Sequence, residues 1–213
     1  MARPVEFVRA EVVTSAMNVF WYSGYSATSI NTLLQATNLK PGSLYGAFHS
    51  KRGLFLEIID TYAADRLARI DSVIHSAASP LQAIATLLGR LKQELVEDRD
   101  GRGCLMINSL LELGSQDDEI RERINAYLNR VEQRYTATLQ RAMDDGELHS
   151  HSCASELGQF LMNGIWGLRV LSKKRPQPAA YDSIIHQLLQ ALAAPATGLA
   201  SGTATGQTGV LLS

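Results

Sequence analysis

The chain has 213 residues, enough for one or two domains, and its 46% hydrophobic and 19% charged content excludes the disordered, collagen-like and fibrous classes. Twenty Lys and Arg against twenty-one Asp and Glu leave a net charge of −1, so no whole-molecule basic field announces a polyanionic partner. The charge is uneven, however: residues 1 to 55 hold five basic and two acidic side chains, and the remaining 158 hold fifteen and nineteen.

Apolar residues recur at helical spacing along almost the whole chain and no segment alternates with period two, so an all-α fold is expected. Phe7, Val8, Val12, Ala16, Val19 and Phe20 line a first helix stopped at Gly24. Thr28 is read as the cap of a second, carrying Ile30, Leu33, Leu34 and Ala36 as far as Asn38. Lys40-Pro41-Gly42 opens a short third helix through Phe48, where the fixed φ of proline suits a first turn. Ser50 caps a fourth, running to about Ile74, and Ser79-Pro80 starts a fifth with Leu81, Ile84, Leu87, Leu88, Leu91 and Leu95 behind it. After a polar loop from Glu97 to Gly103, a short helix spans Cys104 to Leu113, and Asp117 begins a long one closed by Gly146. Two more are expected, about Ala154 to Leu171 and Tyr181 to Ala194, joined by the basic, proline-containing segment Lys173 to Pro178. Past Pro195 the chain collapses to Ala, Gly, Thr and Ser, a composition that buries too little apolar surface to offset ordering. The expected division is a head over 1–56, a helical body over 57–194 and a disordered tail over 195–213.

Two cysteines, Cys104 and Cys153, make no disulfide framework, and a reducing compartment fits them. The opening MARPVEFVRAEVV lacks the apolar core of a signal peptide, and the segment Leu157 to Leu171 is broken by Gln159, Asn163 and Arg169. A cytoplasmic protein without a membrane partner is expected.

The second and third helices form a short pair within the basic head, the plan of a helix-turn-helix whose second helix enters the major groove. A plain helical hairpin has the same outline. Residue detail favours the first reading. The runs Gly24-Tyr25-Ser26-Ala27-Thr28-Ser29-Ile30, Leu39-Lys40-Pro41-Gly42-Ser43-Leu44-Tyr45 and Phe48-His49-Ser50-Lys51-Arg52-Gly53-Leu54-Phe55 closely resemble the DNA-binding head of the TetR/AcrR family of transcriptional repressors. The likeness covers about residues 5 to 56. It implies a helical body that dimerises and holds an inducer, with double-stranded operator DNA as partner. It also puts Thr28, Ser29, Lys40, Tyr45, His49 and Lys51 near phosphates, and Pro41, Gly42, Ser43 and Gly46 against base edges. Gly46-Ala47 departs from the aromatic and histidine that many members carry there, so no operator sequence transfers from relatives. Physically, Gly42 and Ser43 leave the backbone N–H groups of a helix start open to a phosphate. Tyr45 offers a hydroxyl, although a half-buried core aromatic is the competing reading, and Lys51 adds a salt-sensitive point charge.

In the body, Leu157, Leu161, Gly164, Ile165 and Leu168 on one helix and Ile185, Leu188 and Leu192 on the next make wide apolar faces. They are assigned to the four-helix homodimer interface that a two-fold operator requires, with intrachain core as the competing reading. Met106, Tyr127, Phe160, Met162 and Trp166, with Asn108 as a polar handle, are candidates to line a ligand cavity. Cys104 is a candidate thiol sensor: it opens a helix, Arg102 lies nearby, and Gly103-Cys104-Leu105 resembles a branch of the same family that includes the N-ethylmaleimide reductase repressor. A buried small hydrophobe is the alternative. His149, His151 and Cys153 alternate in a polar loop without a closed ligand set, so neither metal nor cofactor is expected. No Gly-x-Ser-x-Gly, P-loop or Gly-x-Gly-x-x-Gly occurs, and an enzyme is not expected. Two readings remain open: a homodimeric DNA-binding repressor released by a small molecule or electrophile, and a helical ligand-binding or thiol-redox protein with no DNA role.

Overall fold

The computed structural model describes residues 7–148 and 153–193. Among them the fold is all-helical, with α1 (Arg9–Ser23), α2 (Ile30–Thr37), α3 (Pro41–Phe48), α4 (Lys51–Ser76), α5 (Pro80–Glu97), α6 (Leu105–Leu113), α7 (Asp118–Asp144), α8 (Ala154–Leu171) and α9 (Pro178–Ala193). The expected tail and the loop histidines His149 and His151 lie outside the described residues. No helix among the described residues is long and apolar enough to cross a membrane.

Side-chain caps set four of the helix starts. The hydroxyls of Ser29, Ser50 and Ser79 accept the N–H groups of Thr32, Gly53 and Gln82, and the Asp117 carboxylate accepts that of Ile120. Ser29, not Thr28, therefore caps α2. Thr28 is buried, lies one residue before the cap and turns its hydroxyl back to donate to the Gly24 carbonyl at 2.6 Å. At the other end of the chain, Pro178 occupies the first turn of α9, so that helix begins three residues before Tyr181.

One apolar core runs from the head into the body. Val12, Ala16 and Phe20 of α1 meet Leu54, Phe55, Ile58 and Ile59 of α4, and α4 packs in turn on α5 and α7. Phe20, Tyr25 and Phe55 form an aromatic cluster with ring centroids 4.9 to 5.8 Å apart. Gly53 is demanded by this junction, because a Cβ there would strike the Phe48 carbonyl. Helix α4 continues unbroken through position 56, so head and body share it. Across the body α7 packs along α8, and α9 closes against α8 and α5.

Candidate nucleic-acid interface and body cavity

Helices α2 and α3 are joined by Asn38 to Lys40, with Asn38 in the left-handed conformation (φ 53°, ψ 30°) that turns the chain after α2. Leu44 and Phe48 anchor α3 to the core, which leaves the opposite side bare: Lys40, Pro41, Gly42, Tyr45, Gly46 and His49 are exposed and Ser43 half-buried. Tyr45 is 46% exposed and does not belong to the core. A Cβ added at Gly42 or Gly46 would meet nothing within 4 Å. Glycine in a helix interior costs about 1 kcal/mol relative to alanine, and nothing inside the chain requires it at either place. Lys40, at the start of α3, supplies no side-chain cap. Ser29 is exposed at the start of α2 beside this face.

Two residues that the resemblance places near phosphates are engaged inside the head. Thr28 is held by Gly24 as above. Lys51 donates to the carbonyls of Tyr25 and Thr28 at 2.9 and 2.8 Å and sits 4.2 Å from the centre of the Tyr25 ring. Its ammonium therefore fastens the turn before α2 to the start of α4. Of the other basic residues, Arg9 pairs with Glu57 and Arg52 forks onto Asp117 while also reaching Glu119. Lys40 makes no ion pair among the described residues.

A further set of residues escaped the reading of the sequence. Glu112, near the end of α6, accepts the N–H groups of Tyr25 and Ser26 at 2.9 and 2.7 Å. Burial pushes the Glu112 carboxyl up, but the two amides and the nearby Lys51 hold it below the ordinary range. The Arg52 fork and the Ile120 amide bring Asp117 down to about 2. Trp21 donates its indole N–H to the Gly103 carbonyl at 3.2 Å. These contacts join residues 65 to 87 positions apart, and no local pattern announces them.

The body encloses a chamber of about 150 Å³ bounded by α4, α5, α6, α7 and α8. Cys104, Tyr127 and Trp166 line it, as does a group not anticipated from the sequence: Arg66, Glu94 and Arg169. Met106 and Met162 are buried in the core but are not part of its lining, and Asn108 folds back to donate to the Arg102 carbonyl at 2.7 Å. Phe160 lies on the outer side of α8, 43% exposed, and so cannot face the chamber. Cys104 is buried, with its sulfur 3.9 Å from the Tyr62 hydroxyl. Arg102 does not serve the thiol, since it bonds Asp98 and stacks over Trp21. Burial pushes the Tyr135 hydroxyl up to about 12 and that of Tyr127 well above the usual phenol, so both wall phenols are neutral.

The apolar faces of α8 and α9 divide differently from expectation. Leu157, Leu161, Ile165, Leu168, Leu188 and Leu192 are buried within the chain and Ile185 is half-buried. Gly164 permits the close crossing, since a Cβ there would lie 2.5 Å from Leu188. The surface left outside consists of Phe160, Asn163, Gly167 and Val170 on α8 and Ile184, Gln187 and Ala191 on α9. Among the described residues no three His, Cys, Asp or Glu side chains gather to hold a metal ion.

Residues 12–58 match the family described as bacterial regulatory proteins, tetR family, and residues 80–188 match the tetracyclin repressor-like C-terminal domain. The chain is 27% identical over 173 residues to the HTH-type transcriptional repressor ComR of Escherichia coli (strain K12), covering 81% of this chain and 82% of that protein. A cysteine mutant of the TetR family transcriptional regulator CifR, complexed with 26-base-pair operator DNA, superposes with a TM-score of 0.80 at 29% identity, over 89% of this chain and 99% of the other. Reduced Escherichia coli NemR shares the fold, with a TM-score of 0.80 at 14% identity over 89% and 98% of the two chains. With a helix-turn-helix head and a helical body both matched, the chain belongs to the TetR family of transcriptional regulators.

Proposed function

We propose that the protein is a homodimeric repressor that reads a palindromic operator with α3 in the major groove and lets go when a small molecule occupies the body chamber. The observation that carries this reading is the bare face of α3. Gly42 and Gly46 weaken a short helix for no internal gain, and the exposed Tyr45 stands between them. A surface without side chains lets the helix backbone approach base edges closely, and Tyr45, Ser43, His49 and Ser29 supply hydrogen-bond donors for phosphates around it. The likeness to CifR, solved in complex with operator DNA, supports a DNA-binding role.

A single head of this size makes too few contacts for specific affinity, so two are required at a spacing of about 34 to 36 Å. The outward apolar residues Phe160, Val170 and Ile184 fit the contact that would hold them. A compound entering the chamber touches α4, the helix that the head shares, and reaches Cys104, so a reversibly bound ligand or an electrophile acts from the same place. The reading is tested by selecting binding sites from a random duplex library with the full chain. Recovery of a two-fold symmetric site, bound by one dimer, is expected. Enrichment of no sequence over the starting pool would leave the ligand-binding reading without a DNA role.

A further inference from the structure

The walls of the body chamber carry more positive charge than they balance. Arg66, Arg69, Arg90 and Arg169 line it, with Glu94 as the single carboxylate among the lining residues. Arg69 is answered by Asp65 at 3.0 Å, and Arg90 is exposed to water. Arg66 and Arg169 have neither relief. They show only 15% and 14% of their side chains to solvent, and both lean on Glu94. Arg66 uses one further donor on the Tyr62 hydroxyl at 3.2 Å. Arg169 places a single one of its five N–H donors, at 3.3 Å from Glu94, among the described residues. Two mostly buried guanidiniums share one carboxylate, so the cluster carries a net positive charge, and the donors that Glu94 and Tyr62 do not use face the chamber and the cleft. Burial pushes the Glu94 carboxyl up, but the two arginines hold it below the ordinary range, so it stays ionised and has no second charge to give. Tyr127 and Tyr135 are neutral and contribute none.

The three charged residues also stand between two spaces. Arg66, Glu94 and Arg169 line both the chamber and a larger cleft of about 700 Å³ that extends to Trp21 and Arg102. Apart from Arg69, Arg90 and Cys104, the remaining wall on the inner side is aromatic and aliphatic, including Leu128, Val131, Ile165 and Trp166. A chamber of about 150 Å³ admits a body the size of a benzene ring.

We propose that the chamber binds a small organic anion, its carboxylate held by Arg169 and Arg66 and its compact apolar body packed against Tyr127, Val131 and Trp166. The site names the chemical class of the releasing molecule and so rests on the reading of the chamber as the effector site. A carboxylate supplies the acceptor that Glu94 alone cannot, because the guanidinium fork donates two parallel bonds to it. A neutral ligand of the same shape leaves the surplus charge in place, and a cation adds to it.

The test uses the full chain with benzoate, phenylacetate and isobutyrate, each against its own amide, followed by intrinsic tryptophan fluorescence. At least one acid is expected to bind below about 1 mM, with its amide about tenfold weaker or more. Arg169→Gln and Glu94→Gln are compared with the wild type using that acid. Both variants disturb the same buried cluster, so a packing defect moves them together, whereas an anion site moves them apart. The expected order of affinity is Glu94→Gln above wild type above Arg169→Gln. Any other order, amides equal to acids, or no acid binding up to about 10 mM overturns the proposal. Operator retention is measured separately. An acid that binds in this order yet leaves the DNA complex intact overturns release from the chamber and keeps the anion site, and release by amides and acids alike does the reverse.

Discussion

The carboxylate of Glu112 accepts the Ser26 N–H at 2.7 Å across 86 positions of chain, so a body side chain fixes the turn that delivers α2 and α3. The neighbouring Tyr25 amide binds the second oxygen of the same carboxylate. Glu112→Gln keeps the shape but loses the charge and one acceptor, and it should lower unfolding free energy by about 1 kcal/mol, solvent screening trimming the charge-assisted value. The folded-state pKa values of Glu112 and Asp117 lie below the unfolded ones, so their stabilisation is present above about pH 4 and is lost as pH falls through the folded values. Urea titrations from about pH 7 to pH 3 should show stability level above about pH 5 and falling below about pH 4.5, with a shallower fall in Glu112→Gln.

Gly46→Ala separates stability from recognition. The added methyl group meets no atom within 4 Å, so the helix gains about 0.5 to 1 kcal/mol and the melting temperature rises by a few degrees. Operator affinity should fall about tenfold or more, because the methyl group stands where the backbone approaches the bases. A variant more stable than the wild type with undiminished operator binding would remove α3 from the groove.

Lys51 and Tyr45 should behave oppositely. Lys51→Met removes two carbonyl bonds and a ring contact and is expected to cost about 1 to 2 kcal/mol of stability, whereas Tyr45→Phe should leave stability unchanged and cost about 1 kcal/mol per half-site in operator binding. With Arg9, Lys51 and Arg52 engaged inside the chain, Lys40 and Arg3 are the remaining head cations. The slope of log affinity against log salt should therefore be shallow for a dimer, between about −2 and −4. Gel-shift titration across a salt series reads it directly.

The contact between two copies should answer to Phe160 and Ile184 and not to Leu161. Replacing both outward residues with Glu should give a folded monomer by light scattering, since it puts carboxylates into an apolar contact without touching the core. Leu161→Glu places a charge at a fully buried position and should unfold the body instead, visible as lost helical circular dichroism.

Helix α8 begins and ends where its apolar period and flanking residues put it, and α3 follows from Pro41 and the aromatic anchor Phe48, because periodicity and turn chemistry are local signals. The residues assigned to the face of α3 come instead from the resemblance carried by Leu39 to Tyr45. Periodicity cannot say which apolar residue meets its own chain and which meets another. Leu161 and Phe160 are adjacent in the sequence, and only the packing of α8 against its neighbours decides that the first is inside and the second outside. Charged residues are less legible still. Lys51, Glu112 and Arg169 look like ordinary surface charges until packing brings carbonyls, amides or another guanidinium to them.

Arg52 ties the start of α4 to Asp117 and Glu119, and α4 itself belongs to both parts of the molecule. The head is therefore not a cassette. Grafting residues 9–50 onto the body of a relative would transfer the reading face but strand the Ser26 and Tyr25 amides unless the recipient offers a carboxylate at the position of Glu112. Likewise, a foreign head that lacks an arginine at the start of α4 would leave Asp117 and Glu119 facing each other. If α3 reads the operator as proposed, redesigning its exposed side would change specificity without disturbing these contacts, whereas exchange of the whole head has to carry the seam with it.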